Sequence, residues 1–138
     1  MNPFIVTAVI GFIILVNTVL GQKAKDEPNT VNHAGILKQL GPKNFVKGQT
    51  IYNNLCINCH GSDGKTPALP IAHAFGTGEL KFGVDPYSMF QTLTKGNGLM
   101  GPQTWMTPQE RYDAIYYIRE KFMKPMHPKY QALTPQYL

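Results

Sequence analysis

The chain has 138 residues and a mass of 15.4 kDa, which is room for one domain. Hydrophobic residues make up 43% and charged residues 15%, which excludes a charged disordered tail and a coiled coil. Thirteen basic residues against eight acidic ones give a net charge of +5, but the lysines are scattered and form no stripe, so nucleic acid is not the expected partner. A diffuse basic surface suits an acidic protein partner instead, through steering of the encounter.

Residues 1–21 contain no charged side chain, and Phe4 to Val16 is a continuous apolar run. Its length fits a signal-peptide core with a small-residue exit at Val19 and Gly21. The other reading is an uncleaved N-terminal membrane anchor, although the run falls short of the roughly 20 residues of a spanning helix. Either reading exports the folded part to the periplasm or another extracytoplasmic space. Residues 22–43 are mostly polar and broken by Pro28 and Gly41-Pro42. They read as a linker with one helical turn around Ile36, Leu37 and Leu40, and His33 within it reads as an exposed histidine.

Asn44 to Leu55 reads as a helix whose apolar residues are Phe45, Ile51, Tyr52 and Leu55. Gly48 lies one turn before Tyr52 on the same face. Glycine inside a helix costs up to about 1 kcal/mol against alanine, so a close helix crossing is the expected reason for it.

The two cysteines, Cys56 and Cys59, are three residues apart, and His60 follows directly. Cys-x-x-Cys-His is the attachment signature of a c-type haem. On a helical turn, residues i and i+3 share a face, so both thiols reach the two vinyl groups of one porphyrin. The imidazole at the next position then serves as the proximal iron ligand. Three plainer readings compete. A disulfide closing so short a loop adds little stability. A thioredoxin-like pair needs a strand before it, and no strand-like alternation precedes Cys56. Zinc finds only three ligands here, with no second pair at suitable spacing.

Further along, Asp85 caps a short helix that starts at Pro86, runs from Tyr87 to Lys95 and closes at Gly96. Residues 96–102 form a glycine-rich turn carrying Met100. Thr107-Pro108-Gln109-Glu110 is a capping box with proline at the first helical position. It launches a helix with Tyr112, Ile115, Tyr116, Ile118 and Phe122 at helical spacing, expected to stop before Pro125. Residues 124–138 read as an extended C-terminal tail. The chain shows no Ser-His-Asp order, phosphate loop or acidic pair suited to catalysis, so an enzyme is not expected.

Over residues 44–123 the chain resembles a class I c-type cytochrome. The matching residues are Gly48, Tyr52, Cys56, Cys59, His60, Gly61, Pro67-Ala68-Leu69, the Met100 loop and the last helix with Tyr116-Tyr117-Ile118. It is also similar to haem-c domains fused to bacterial dehydrogenase-type proteins. The resemblance implies an all-α fold of three to four short helices wrapped around one covalently bound haem c, with the last helix crossing the first at the glycine. It implies Met100 as the distal iron ligand. Met106 is the alternative, because Gly101 separates Met100 from Pro102 where the family often has Met-Pro, and His73 or an open site is a further one. It implies that the Pro67 carbonyl, or that of Pro70, accepts the Nδ1–H of His60, and that Trp105 packs near the haem or in the core.

The function so implied is transfer of single electrons between redox partners outside the cytoplasm. The alternatives are a haem subunit of a membrane dehydrogenase or oxidase, or a haem enzyme or gas sensor with an open distal site. Arg119, Lys121, Lys124 and Lys129 form the densest basic stretch and are the expected docking corner for an acidic partner.

Overall fold

In the computed structural model, residues 31–77, 80–126 and 130 are described, and among them the chain is helical with a single isolated bridge between Asn97 and Met100. The expected signal peptide or anchor and residues 131–138 of the expected tail lie outside the described residues. No helix among the described residues is long and apolar enough to cross a membrane.

The stretch read as a linker carries the first helix, α1 (His33–Lys38), capped by the Asn32 side chain, which accepts the Gly35 N–H at 2.9 Å. Leu37 drops from it into the core. His33, expected on the surface, is half-buried. Its Nδ1 lies 2.8 Å from the Tyr112 hydroxyl, and its ring packs edge-on to Tyr87 and Phe90. Those rings stand 54 or more positions further along the chain, so nothing local in the sequence announces them.

Gly41 and Pro42 start the second helix, as a flexible cap and a first-turn proline should. The Gly41 N–H donates to the Asn44 side chain at 3.1 Å. The helix runs as α2 (Pro42–Ile51), widens into a π-helical turn (Tyr52–Cys56) and ends as α3 (Ile57–His60). Gly61 ends it in the left-handed region, φ 75°, with its N–H on the Ile57 carbonyl at 2.9 Å. A side chain there would also strike the Thr66 carbonyl oxygen. The chain therefore turns away immediately after His60.

Helix α4 (Pro86–Lys95) begins and ends as its sequence predicts, with Asp85 accepting the Ser88 N–H at 2.9 Å. Helix α5 (Pro108–Ile118) has the predicted capping box, in which Thr107 and Glu110 bond each other's backbone N–H. It does not stop before Pro125. A second π-helical turn (Arg119–Met123) leads into the short α6 (Lys124–Met126), which contains the proline. Proline lacks only one N–H, and a wider turn before it already departs from the regular ladder, so its cost is reduced there.

Helix α5 is the centre of the fold, with Arg111 through Ile115 and Tyr117 through Arg119 buried. It crosses α2 at Gly48, where an added Cβ would collide with the Asp113 carbonyl and lie 2.8 Å from Tyr117 Cβ. The expected glycine crossing is present. Tyr52, Phe75, Tyr117 and Phe122 form one aromatic group beneath the end of the α2–α3 rod, with ring centroids 5.1–6.4 Å apart. Phe90 and Tyr112 stack at 4.7 Å in a second group, with the Arg111 guanidinium 4.4 Å from the Phe90 ring.

Candidate functional site

The end of the α2–α3 rod carries the chemistry. Cys56 closes the π-helical turn, and Cys59 and His60 lie on the last turn before Gly61. Both thiols are free and half-buried. Burial, then the neighbouring Cys59, pushes the Cys56 thiol up to about 11. An attacking thiolate needs the opposite shift, so the redox-pair reading loses ground. Among the described residues no group of three or more His, Cys, Asp or Glu is arranged to hold a metal ion.

Two contacts hold the motif in place. The buried Tyr52 hydroxyl donates to the Gly61 carbonyl at 2.6 Å, tying the start of the π-helical turn to the residue that ends the rod. The Leu69 N–H donates to the Cys59 carbonyl at 3.1 Å and brings the following loop back against the motif. Inside that loop, the Asp63 carboxylate accepts the N–H groups of Lys65 and Thr66 at 2.8 and 2.7 Å. Those bonds hold its carboxyl below the usual carboxylate range.

His60 Nδ1 lies 3.0 Å from the carbonyl oxygen of His73. A carbonyl only accepts, so Nδ1 carries the proton and Nε2 the lone pair. Burial lowers the pKa of the ring against the effect of that hydrogen bond, which favours the neutral imidazole a metal requires. The acceptor is not Pro67 or Pro70, as the sequence led us to expect. The loop turns at Asp63 and again at residues 69–72, and this carries the later segment, not the first proline, under the ring. His73 thereby lies beside His60, and its carbonyl holds the imidazole. Phe75, which pattern reading missed, stacks on the His60 ring with centroids 4.6 Å apart and planes 24° apart. Residues 61–77 have no helical or strand period, so no sequence signal marks either residue.

The two candidate methionines separate by burial. Met106 is 4% exposed and sits just before the cap Thr107, where an apolar side chain packs down the helix. Met100 is half-buried on the turn closed by reciprocal bonds between Asn97 and Met100, at 2.8 and 3.1 Å. The Gln103 N–H, donating to the Leu93 carbonyl at 2.7 Å, anchors the loop back on α4. Trp105 is 50% exposed and its Nε1–H donates to Gln103 at 3.1 Å, so it is not a core residue.

The donor set fits a haem c. It offers two uncommitted thiols three residues apart, a neutral imidazole with its Nδ1–H fixed, and a thioether on a separate loop. The segments that carry them also present apolar side chains to the outside, namely Leu55, Leu69, Leu99 and Trp105.

The fold takes Arg119 out of the expected basic docking corner. Arg119 is 1% exposed and its guanidinium bonds the Val84 carbonyl and lies over the Tyr130 ring. Lys124 pairs with Glu120 at 2.8 Å. Lys121 and Lys124 are exposed, and Lys129 lies outside the described residues. Arg119 stands four residues after Ile115 and seven after Tyr112, so regular helical spacing puts it on their buried face.

The model of a known family, described as cytochrome c oxidase, cbb3-type, subunit III, matches residues 43–118. No curated protein and no solved structure matches the chain.

Proposed function

The chain belongs to the cytochrome c oxidase, cbb3-type, subunit III family of c-type cytochrome domains, and we propose that it carries single electrons between redox proteins outside the cytoplasm. A cytochrome domain of this kind implies haem c and electron transfer. Our reading assigns the parts. Cys56 and Cys59 would hold one haem covalently, with His60 Nε2 and Met100 as the residues that would ligate its iron. A haem bound there would supply one-electron chemistry between ferrous and ferric iron.

The residues of the chain do the rest. The His73 carbonyl polarises the His60 N–H and raises the basicity of Nε2. Gly61 and Tyr52 fix where the rod ends, and so where the imidazole stands. A thioether and an imidazole as iron ligands would favour the reduced state, so the potential is expected to be positive. The imidazole whose Nδ1–H is held by the His73 carbonyl, directly after two free thiols three residues apart, is the observation that carries this reading.

A potentiometric titration of the purified protein, followed by its visible spectrum, tests it. The expected result is a single one-electron wave at positive potential, with a reduced spectrum indifferent to carbon monoxide. Carbon monoxide binding to the reduced protein would instead indicate an open sixth position and an enzyme or sensor. A second reading, a haem subunit of a membrane oxidase complex, is favoured by the description of the matching family. Co-purification with membrane subunits after mild detergent extraction would support that reading over a freely exchanging carrier.

A further inference from the structure

We propose that Phe75 is a positioning residue that narrows the rotation of the His60 imidazole about its metal–nitrogen axis. The inference rests on the reading of His60 as an axial ligand. The Nδ1–H of such a histidine points off the metal–Nε2 axis, so its bond to the His73 carbonyl already favours one rotation of the ring. A hydrogen bond tolerates some misalignment, and a flat side chain lying on the face of the imidazole narrows the rotation that is left.

Phe75 has the required geometry. Its ring is 4.6 Å from the His60 ring with 24° between the planes, so turning the imidazole would drive an edge into it. Close aromatic stacks of this kind contribute about 0.5–1.5 kcal/mol beyond their buried area. Phe75 cannot swing away, because it is 7% exposed and backed by Phe122, whose ring is nearly parallel at 6.4 Å and 15°. Tyr52 closes the side at 6.3 Å. The backbone is pinned as well, since the Gly76 N–H donates to the Gly64 carbonyl at 2.8 Å. Residues 73 and 75 therefore act as two prongs from one short segment, a carbonyl that holds the ring nitrogen and a phenyl that narrows the swing of the plane.

The plane of an axial imidazole decides which iron d orbital its π electrons meet. This changes the magnetic anisotropy of the ferric state without changing the ligand set. A purely structural role for Phe75 would alter stability alone. The two are separated by electron paramagnetic resonance of the ferric protein, comparing Phe75→Leu and Phe75→Tyr with Phe90→Leu. Phe90 is buried to a similar degree and has no contact with His60, so it controls for loss of core packing.

We expect Phe75→Leu to shift and broaden the low-field g feature as the ring samples several orientations. Phe75→Tyr keeps the flat face and should restore the wild-type position, and Phe90→Leu should leave it in place. In the reduced, diamagnetic wild-type protein, ring protons of Phe75 and His60 should show mutual nuclear Overhauser contacts. This measurement needs no variant and stands even if Phe75→Leu fails to fold. Unchanged g values in Phe75→Leu, or absent ring contacts in the wild type, would overturn the proposal while leaving the haem assignment intact. A wild-type protein whose pyridine haemochrome spectrum shows no covalent haem would overturn both.

Discussion

Gly48 on α2 and Asp113 on α5 approach so closely that the Cβ of any other residue at position 48 would collide with the Asp113 carbonyl oxygen. The obstacle is backbone, and it belongs to the most buried helix of the protein, so it cannot rotate aside. Alanine gains up to about 1 kcal/mol of helix propensity, but overpacking at a rigid contact costs about 1–3 kcal/mol. The second effect wins. Gly48→Ala should lose about 1–2 kcal/mol, read as a lower denaturant midpoint with an unchanged slope. An unchanged or raised midpoint would mean that the two helices part without cost.

The methionine assignment makes opposite demands on two neighbouring residues. Met100→Ala should abolish the weak far-red absorption of methionine-bound ferric haem, lower the potential and admit carbon monoxide. Met106→Ala should keep the far-red band, and should cost about 2–5 kcal/mol of stability because its side chain is buried beneath the α5 cap. The reverse pattern would transfer the ligand role to Met106.

Glu120 links α5 to the end of the described chain, accepting from Lys124 at 2.8 Å and from the Tyr130 hydroxyl. Burial pushes its carboxyl up, but the hydrogen bonds from Lys124 and Tyr130, with the charges of Lys124 and Arg119, hold it below the usual carboxylate value. A carboxylate depressed on folding adds stability that is complete above its unfolded pKa and lost as pH falls through the folded one. Glu120→Gln should therefore lower the thermal midpoint slightly at neutral pH. The gap to wild type should close below about pH 4. A gap that persists in acid would show that Glu120 acts through packing and not charge.

The legible part of this protein was the part governed by local rules. Asp85 with Pro86, and Thr107 with Pro108 and Glu110, start their helices where capping requires, and Gly48 marks its crossing. The spacing of Cys56, Cys59 and His60 points to haem attachment. What could not be read depends on long-range closure. His33 looked exposed because its aromatic neighbours come from α4 and α5. The carbonyl partner of His60 was placed at Pro67 because the path of the loop after Gly61 is set by turns with no period. Arg119 reads as part of a charged surface because the carbonyl that receives its guanidinium, that of Val84, lies 35 positions back, although its spacing from Tyr112 and Ile115 already puts it on their buried face.

The central claim is that Cys56 and Cys59 hold a haem covalently, and acid–acetone extraction of the purified, exported protein tests it most directly. The colour should stay with the polypeptide, with a pyridine haemochrome spectrum of a haem bound through two thioethers, and Cys56→Ala with Cys59→Ala should lose it. Haem passing into the acetone from the wild type, or a wild-type polypeptide that carries no haem, would contradict the account.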